Sequence, residues 1–133
     1  MARVCSSGLS IAQDAYNMSN PFIHEALASH SVKVYVAGDL APIRQVCRQV
    51  CYEEGLCVTV EPVSFIYTGG EETGAVVGFV NYPRFPSTPS QIDKTAIRLA
   101  ERLVTEACQR TALVVTPTDT IWIRRETKAE VVK

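Results

Sequence analysis

A chain of 133 residues, 47% apolar and 20% charged, is long enough to bury a core of its own without metal or disulfide staples. Its formal net charge of −1 excludes the bulk positive field that gathers nucleic acid or an anionic membrane. The aliphatic runs around 75–80 and 112–115 are too short to span a bilayer, and Met1-Ala-Arg-Val-Cys-Ser-Ser lacks the apolar stretch of a secretory signal, so the expected location is the cytoplasm.

Residues 1–31 read as a helical N-terminal extension. Ser10-Ile-Ala-Gln13 has the form of a capping box and Asn20-Pro21 that of a second helix start, which predicts short helices over 11–17 and 21–29. Helices that short need to dock on the rest of the chain or on a partner. Val32, Val34 and Val36 then alternate with Lys33 and Tyr35, the period of a strand. Gly38-Asp39 ends it, with Asp39 placed to cap a helix whose first turn takes Pro42. Ile43, Val46, Cys47, Val50 and Cys51 fall on one helix face, and Gly55 is the left-handed stop.

The next strand, 57–67, changes apolar phase at Glu61-Pro62, which predicts a bulge there. Residues 68–74 read as an acidic hairpin loop, and 75–82 as a strand apolar in both phases and so covered on both faces. Pro83-Arg84-Phe85-Pro86 is a stiff connection. Thr88-Pro89-Ser90-Gln91 opens a helix that aligns Ile92, Ala96, Leu99, Ala100, Leu103 and Ala107. Strand runs at 112–116 and 120–125 flank Pro117, and a hairpin with a separate fifth strand is preferred to one bent strand. The order β-α-β-β-α-β is the split βαβ, or ferredoxin-like, pattern. The expectation is therefore an α+β protein: a helical extension over 1–31, a ferredoxin-like core with an extra C-terminal strand over 32–125, and a flexible charged tail over 126–133. Such a sheet has one face in need of cover, which a homodimer or the extension would supply.

Five cysteines, an odd number, suit free thiols in a reducing compartment. Cys47 and Cys51 lie on the apolar stripe, where cysteine packs as a small hydrophobe, and no Cys-x-x-Cys pair or histidine completes a zinc set. No cofactor is expected. Catalytic patterns are thin: there is no nucleophile elbow and no phosphate loop. His24 and His30, six apart, do not share a helix face, and Asp39 stands at a strand end. Tyr82, Arg84 and Phe85 lie between a strand and a helix N-terminus, where backbone amides and the helix dipole favour an anion. Tyr67 and Trp122-Ile123-Arg124-Arg125 add rings and charge. The expected contact residues are thus Tyr67, Tyr82, Arg84, Trp122 and Arg124, in a non-catalytic module that binds a protein partner or a small anionic ligand. The alternative from the residues is a small-metabolite enzyme working through Asp39 or a histidine.

Two resemblances add to this. Gly78-Phe79-Val80-Asn81-Tyr82, with Val34-Tyr35-Val36-Ala37-Gly38-Asp39-Leu40, resembles parts of the RNA-recognition motif. That resemblance implies single-stranded RNA binding, with Tyr35 and Phe79 as rings that stack on bases. Ala75, Val76 and Val77 stand where that family has a basic residue, a glycine and an aromatic. Ile66-Tyr67-Thr68-Gly69-Gly70 and Val80-Asn81-Tyr82-Pro83-Arg84-Phe85-Pro86 are similar to stretches in small uncharacterised proteins of bacteriophages and prophages, which implies a host-directed or defence-counteracting role.

Overall fold

The alternation that begins at Val32 forms strand β1, Ser31–Ala37, with Val32, Val34 and Val36 buried on one side. The computed structural model describes residues 20–107 and 110–126. Helix α1, Leu40–Glu54, buries Ile43, Val46, Cys47 and Val50 and stops at Gly55, whose φ of 65° is the left-handed conformation that glycine adopts without strain. Strands β2, Thr59–Tyr67, and β3, Gly70–Val80, form a hairpin. Helix α2, Pro89–Glu106, opens on the full capping box: Gln91 N–H donates to Thr88 Oγ1 at 3.2 Å, and Thr88 N–H donates to Gln91 Oε1 at 2.8 Å. Strands β4, Thr111–Val115, and β5, Thr120–Arg124, pair across a tight turn in which Thr116 Oγ1 accepts from Asp119 N–H at 2.9 Å.

The five strands make one antiparallel sheet in the order β2-β3-β1-β4-β5. Its register sets Val32 against Phe79, and Val34 against both Val77 and Val114. These side chains therefore share one face, and both helices pack there: Ile43, Val46 and Val50 of α1 and Ile92, Ala96, Leu99, Ala100 and Leu103 of α2 join the same core. Arg98 of α2 reaches Glu54 of α1 at 2.7 Å, and Arg102 reaches Glu53 at 2.6 Å and Glu106 at 2.8 Å, which ties the outer sides of the helix pair.

Several local expectations are corrected. Residues 21–30 form no helix; Phe22 N–H donates to Asn20 Oδ1 at 3.0 Å, so the asparagine closes a turn instead of capping a helix. The helix predicted over 11–17 and the tail beyond residue 126 lie outside the described residues. No bulge interrupts β2: Glu61, Pro62 and Val63 oppose Val76, Ala75 and Gly74 in unbroken register. An edge strand tolerates proline because one side of its backbone has no ladder to complete. The change of apolar phase is real, and it sends Val63, Phe65 and Tyr67 to the face away from the helices. The acidic loop shrinks to Thr68-Gly69, and β3 begins at Gly70. Because β1 pairs with β3 only as far as Gly74, the outer part of the hairpin extends past the sheet. Gly74 is required where the arm begins, since a Cβ there would collide with the Val36 carbonyl and the Ala37 backbone.

Candidate functional site: the open face of the sheet

No described element covers the face opposite the helices. The register lays a straight rung across it, Glu61-Val76-Tyr35-Leu113-Trp122, one residue from each strand. A second rung runs through Thr59, Gly78, Lys33, Val115 and Thr120. Trp122 is 60% exposed, and the Arg124 guanidinium carbon stands 4.7 Å from its ring centroid. Tyr35 lies two strands away, about 10 Å at ordinary strand spacing. Lys33 sits beside Tyr35 on the same strand and face. Two rings and two cations thus border an apolar floor of Leu113, Val115 and Val76. Ring faces of this kind accept a flat base or a cationic centre, and the cations accept a carboxylate.

The five residues singled out by sequence do not converge. Trp122 and Arg124 meet on the open face. Tyr82 and Arg84 occupy the connection from β3 to α2, where Tyr82 and Phe85 pack edge to face at 6.1 Å. Tyr67 pairs with Gly70 at the tip of the hairpin, so the 11 residues of β3 separate it from Tyr82 by roughly 33 Å. In an antiparallel hairpin the end of one strand meets the beginning of the other, which sets Tyr67 beside Gly70 and away from Tyr82.

At the β3–α2 connection a cavity of about 30 Å³, lined by Tyr82, Phe85 and Ile92 among others, has room for a water molecule only. The α2 terminus is less open to an anion than its sequence suggests. Pro89 has no N–H, and the Gln91 N–H is taken by Thr88. Arg84 makes no hydrogen bond or ion pair among the described residues. Sequence reasoning missed Asn81. Its Nδ2 donates to the Ala28 carbonyl at 2.9 Å and its Oδ1 accepts from Ser87 N–H at 3.1 Å, so it clips the segment before β1 to the connection before α2. An amide side chain directly after the apolar run 75–80 was the available signal.

Asp39 occupies the N-cap position of α1, yet its side chain makes no cap hydrogen bond, which corrects the capping expectation. Its carboxylate is exposed at the C-terminal end of β1. His24 is exposed, and His30 is engaged with Asp93 at 2.8 Å on the helix side of the molecule. Cys47 is buried, with its thiol pushed up to about 11 by burial first and by Cys51 second, against a smaller opposing effect of Arg44. No group of three or more His, Cys, Asp or Glu side chains among the described residues is arranged to hold a metal. No helix among them is long and apolar enough to cross a membrane. Phe79, one of the two rings that RNA binding would need, is 4% exposed and faces the helices, because its register partner Val32 belongs to the core.

No known protein family matches the chain, and no curated protein does. Two solved structures are similar to it. One is a phage SAM lyase in complex with S-methyl-5'-thioadenosine, at a TM-score of 0.61 and 13% identity, covering 79% of this chain and 98% of the other. The second is a phage SAM lyase in the apo state, at a TM-score of 0.58 and 15% identity, covering 80% of this chain and 98% of the other. At these identities the likeness is one of fold, and both neighbours are phage proteins. Both are also enzymes by name, and that finding overturns the expectation of a non-catalytic binding module in favour of the small-metabolite alternative.

Proposed function

We propose that this chain is a small-metabolite enzyme that cleaves S-adenosylmethionine and releases S-methyl-5'-thioadenosine, with the open face of the sheet as its substrate surface. The observation that carries this reading is a fold shared with a phage SAM lyase over 98% of that enzyme's length. The order β2-β3-β1-β4 with two helices on one face also supports naming the core ferredoxin-like, with β5 as an added edge strand.

The chemistry asks for positioning more than for a protein nucleophile. The bond from the sulfonium to the side-chain carbon breaks, and its electron pair neutralises the sulfur. In the same step the carbon is satisfied by attack of the substrate's own carboxylate oxygen, which closes a lactone, or by transfer of a neighbouring proton to a protein carboxylate, which leaves an alkene. Adenine stacks on Trp122, the sulfonium lies toward the Tyr35 ring, and Lys33 and Arg124 hold the carboxylate. Asp39, whose carboxylate caps nothing, is the acid–base candidate at the rim. Tyr82, Arg84 and Tyr67 belong to this reading only as secondary contacts, since they stand apart from the two rings.

Incubation of the purified chain with S-adenosylmethionine, followed by mass spectrometry, should show S-methyl-5'-thioadenosine accumulating with time. Trp122→Ala and Arg124→Gln should each lower kcat/KM by about tenfold or more at unchanged melting temperature. Absence of turnover above the protein-free blank, together with absence of S-methyl-5'-thioadenosine binding by calorimetry, defeats the proposal.

A further inference from the structure

On the helix side of the molecule, remote from the open face, a groove of about 270 Å³ lies between α1 and β2. Arg44, Cys47, Arg48, Cys51, Val58 and Val60 line it. Its origin is a choice of side-chain size. At positions 47 and 51 the stripe of α1 that looks toward β2 carries cysteines, smaller than the leucine or isoleucine that would close the gap. Val58 and Val60 consequently remain only partly buried at the edge of the core.

The rim of the groove is as distinctive as its floor. Arg44 and Arg48 stand one helical turn apart, a spacing at which like charges repel. Among the described residues, Arg48 bonds only the neutral Gln45 amide, at 3.1 Å, and Arg44 has no hydrogen bond or ion pair. The same helix pair treats its other arginine pair differently. Arg98 is matched by Glu54, and Arg102 by Glu53 and Glu106. One cationic pair is neutralised by glutamates, and the other borders the groove.

We propose that the α1–β2 groove is a binding site for a small aliphatic carboxylate, whose head is held by Arg44 and Arg48 and whose tail lies on Val58, Val60, Cys47 and Cys51. Two guanidiniums one turn apart suit a carboxylate through charge-assisted hydrogen bonds. The floor is aliphatic and sulfur-lined, with no ring on which a nucleobase could stack, so a flexible chain fits where a nucleotide does not. Burial pushes both thiols up from their ordinary range, so they are neutral near pH 7 and set no negative charge against the ligand.

The test is calorimetric titration of the full chain with octanoate, and in parallel with adenosine monophosphate and inorganic phosphate. Octanoate should bind saturably, one per chain, and the other two should bind at least about tenfold more weakly. The double substitution Arg44→Gln/Arg48→Gln, on exposed helix positions, should weaken octanoate binding about tenfold or more at unchanged melting temperature. Cys51→Leu should abolish binding by filling the floor. The proposal is overturned by the absence of saturable octanoate binding, by binding that the double substitution leaves unchanged, or by adenosine monophosphate binding more tightly than octanoate. Neither substitution touches the open face, so these outcomes are independent of S-adenosylmethionine turnover.

Discussion

Cys47 shows how one residue can be legible in kind and hidden in consequence. Its place on the apolar stripe announced a packing role, and the structure buries it among Ile43, Val46 and Val50. The helical spacing also set Cys51 beside it; what the sequence could not supply is the depth of burial that, as the larger cause, pushes its thiol up to about 11. A thiol raised above its ordinary pKa keeps its proton in the native state after the unfolded chain has lost its own. Its contribution to stability is thus complete below about pH 9 and disappears as pH rises toward about 11. Urea unfolding across that window should show the natural chain losing up to roughly 2 kcal/mol more than Cys47→Val, which has no proton to lose. Gly74 belongs to the same scale. Gly74→Ala sets a methyl group against the Val36 carbonyl, and thermal melts should report a loss of roughly 1–3 kcal/mol, the usual range for overpacking.

At the scale of elements, α2 was the most readable part of the chain, because its start, face and length were all written locally. The capping box forms as the spacing of Thr88 and Gln91 required. Thr88→Ala should lower stability by about 1 kcal/mol in denaturant unfolding while leaving the helix content of the native state unchanged. The hairpin of β2 and β3 was read less well, for a physical reason. Val58 and Val60 sit in one phase, and Val63, Phe65 and Tyr67 in the other. A bulge would reconcile them if only one face mattered, but β2 is an edge strand and buries something on each side. The extent of the turn was similarly hidden. Glu71 and Glu72 have poor strand propensity, yet pairing with Ile66 and Phe65 holds them in the ladder.

For the whole molecule, strand order decides which segments are protected and which surfaces are free. β1 is hydrogen-bonded on both sides, to β3 and β4, and carries Val32, Val34 and Val36, each at most 1% exposed. Its amides should exchange with solvent most slowly of all strands, and those of the edge strand β5 among the fastest, as read by native-state hydrogen exchange. The core between helices and sheet is continuous, so one deletion in it should be felt globally. Leu99→Ala, at a fully buried site, should cost roughly 2–5 kcal/mol and lower the denaturant midpoint without changing the slope. The same strand order brings Tyr35 and Trp122, 87 positions apart in sequence, onto one rung of the open face.

From residue 31 onward, the sequence alone determined the identity and order of the elements, the buried side of each helix and the hairpin at Pro117. Those features follow from periods of 2 and 3.6 residues and from turn and cap chemistry, which act over a few neighbours. Tertiary structure alone decided the unbroken register at Pro62, the distance between Tyr67 and Tyr82, the lack of cover over the face that carries Trp122 and Arg124, and the groove beside Arg44 and Arg48. Each of these depends on hydrogen bonds and packing between segments distant in the chain, and a local pattern carries no record of the partner it will meet.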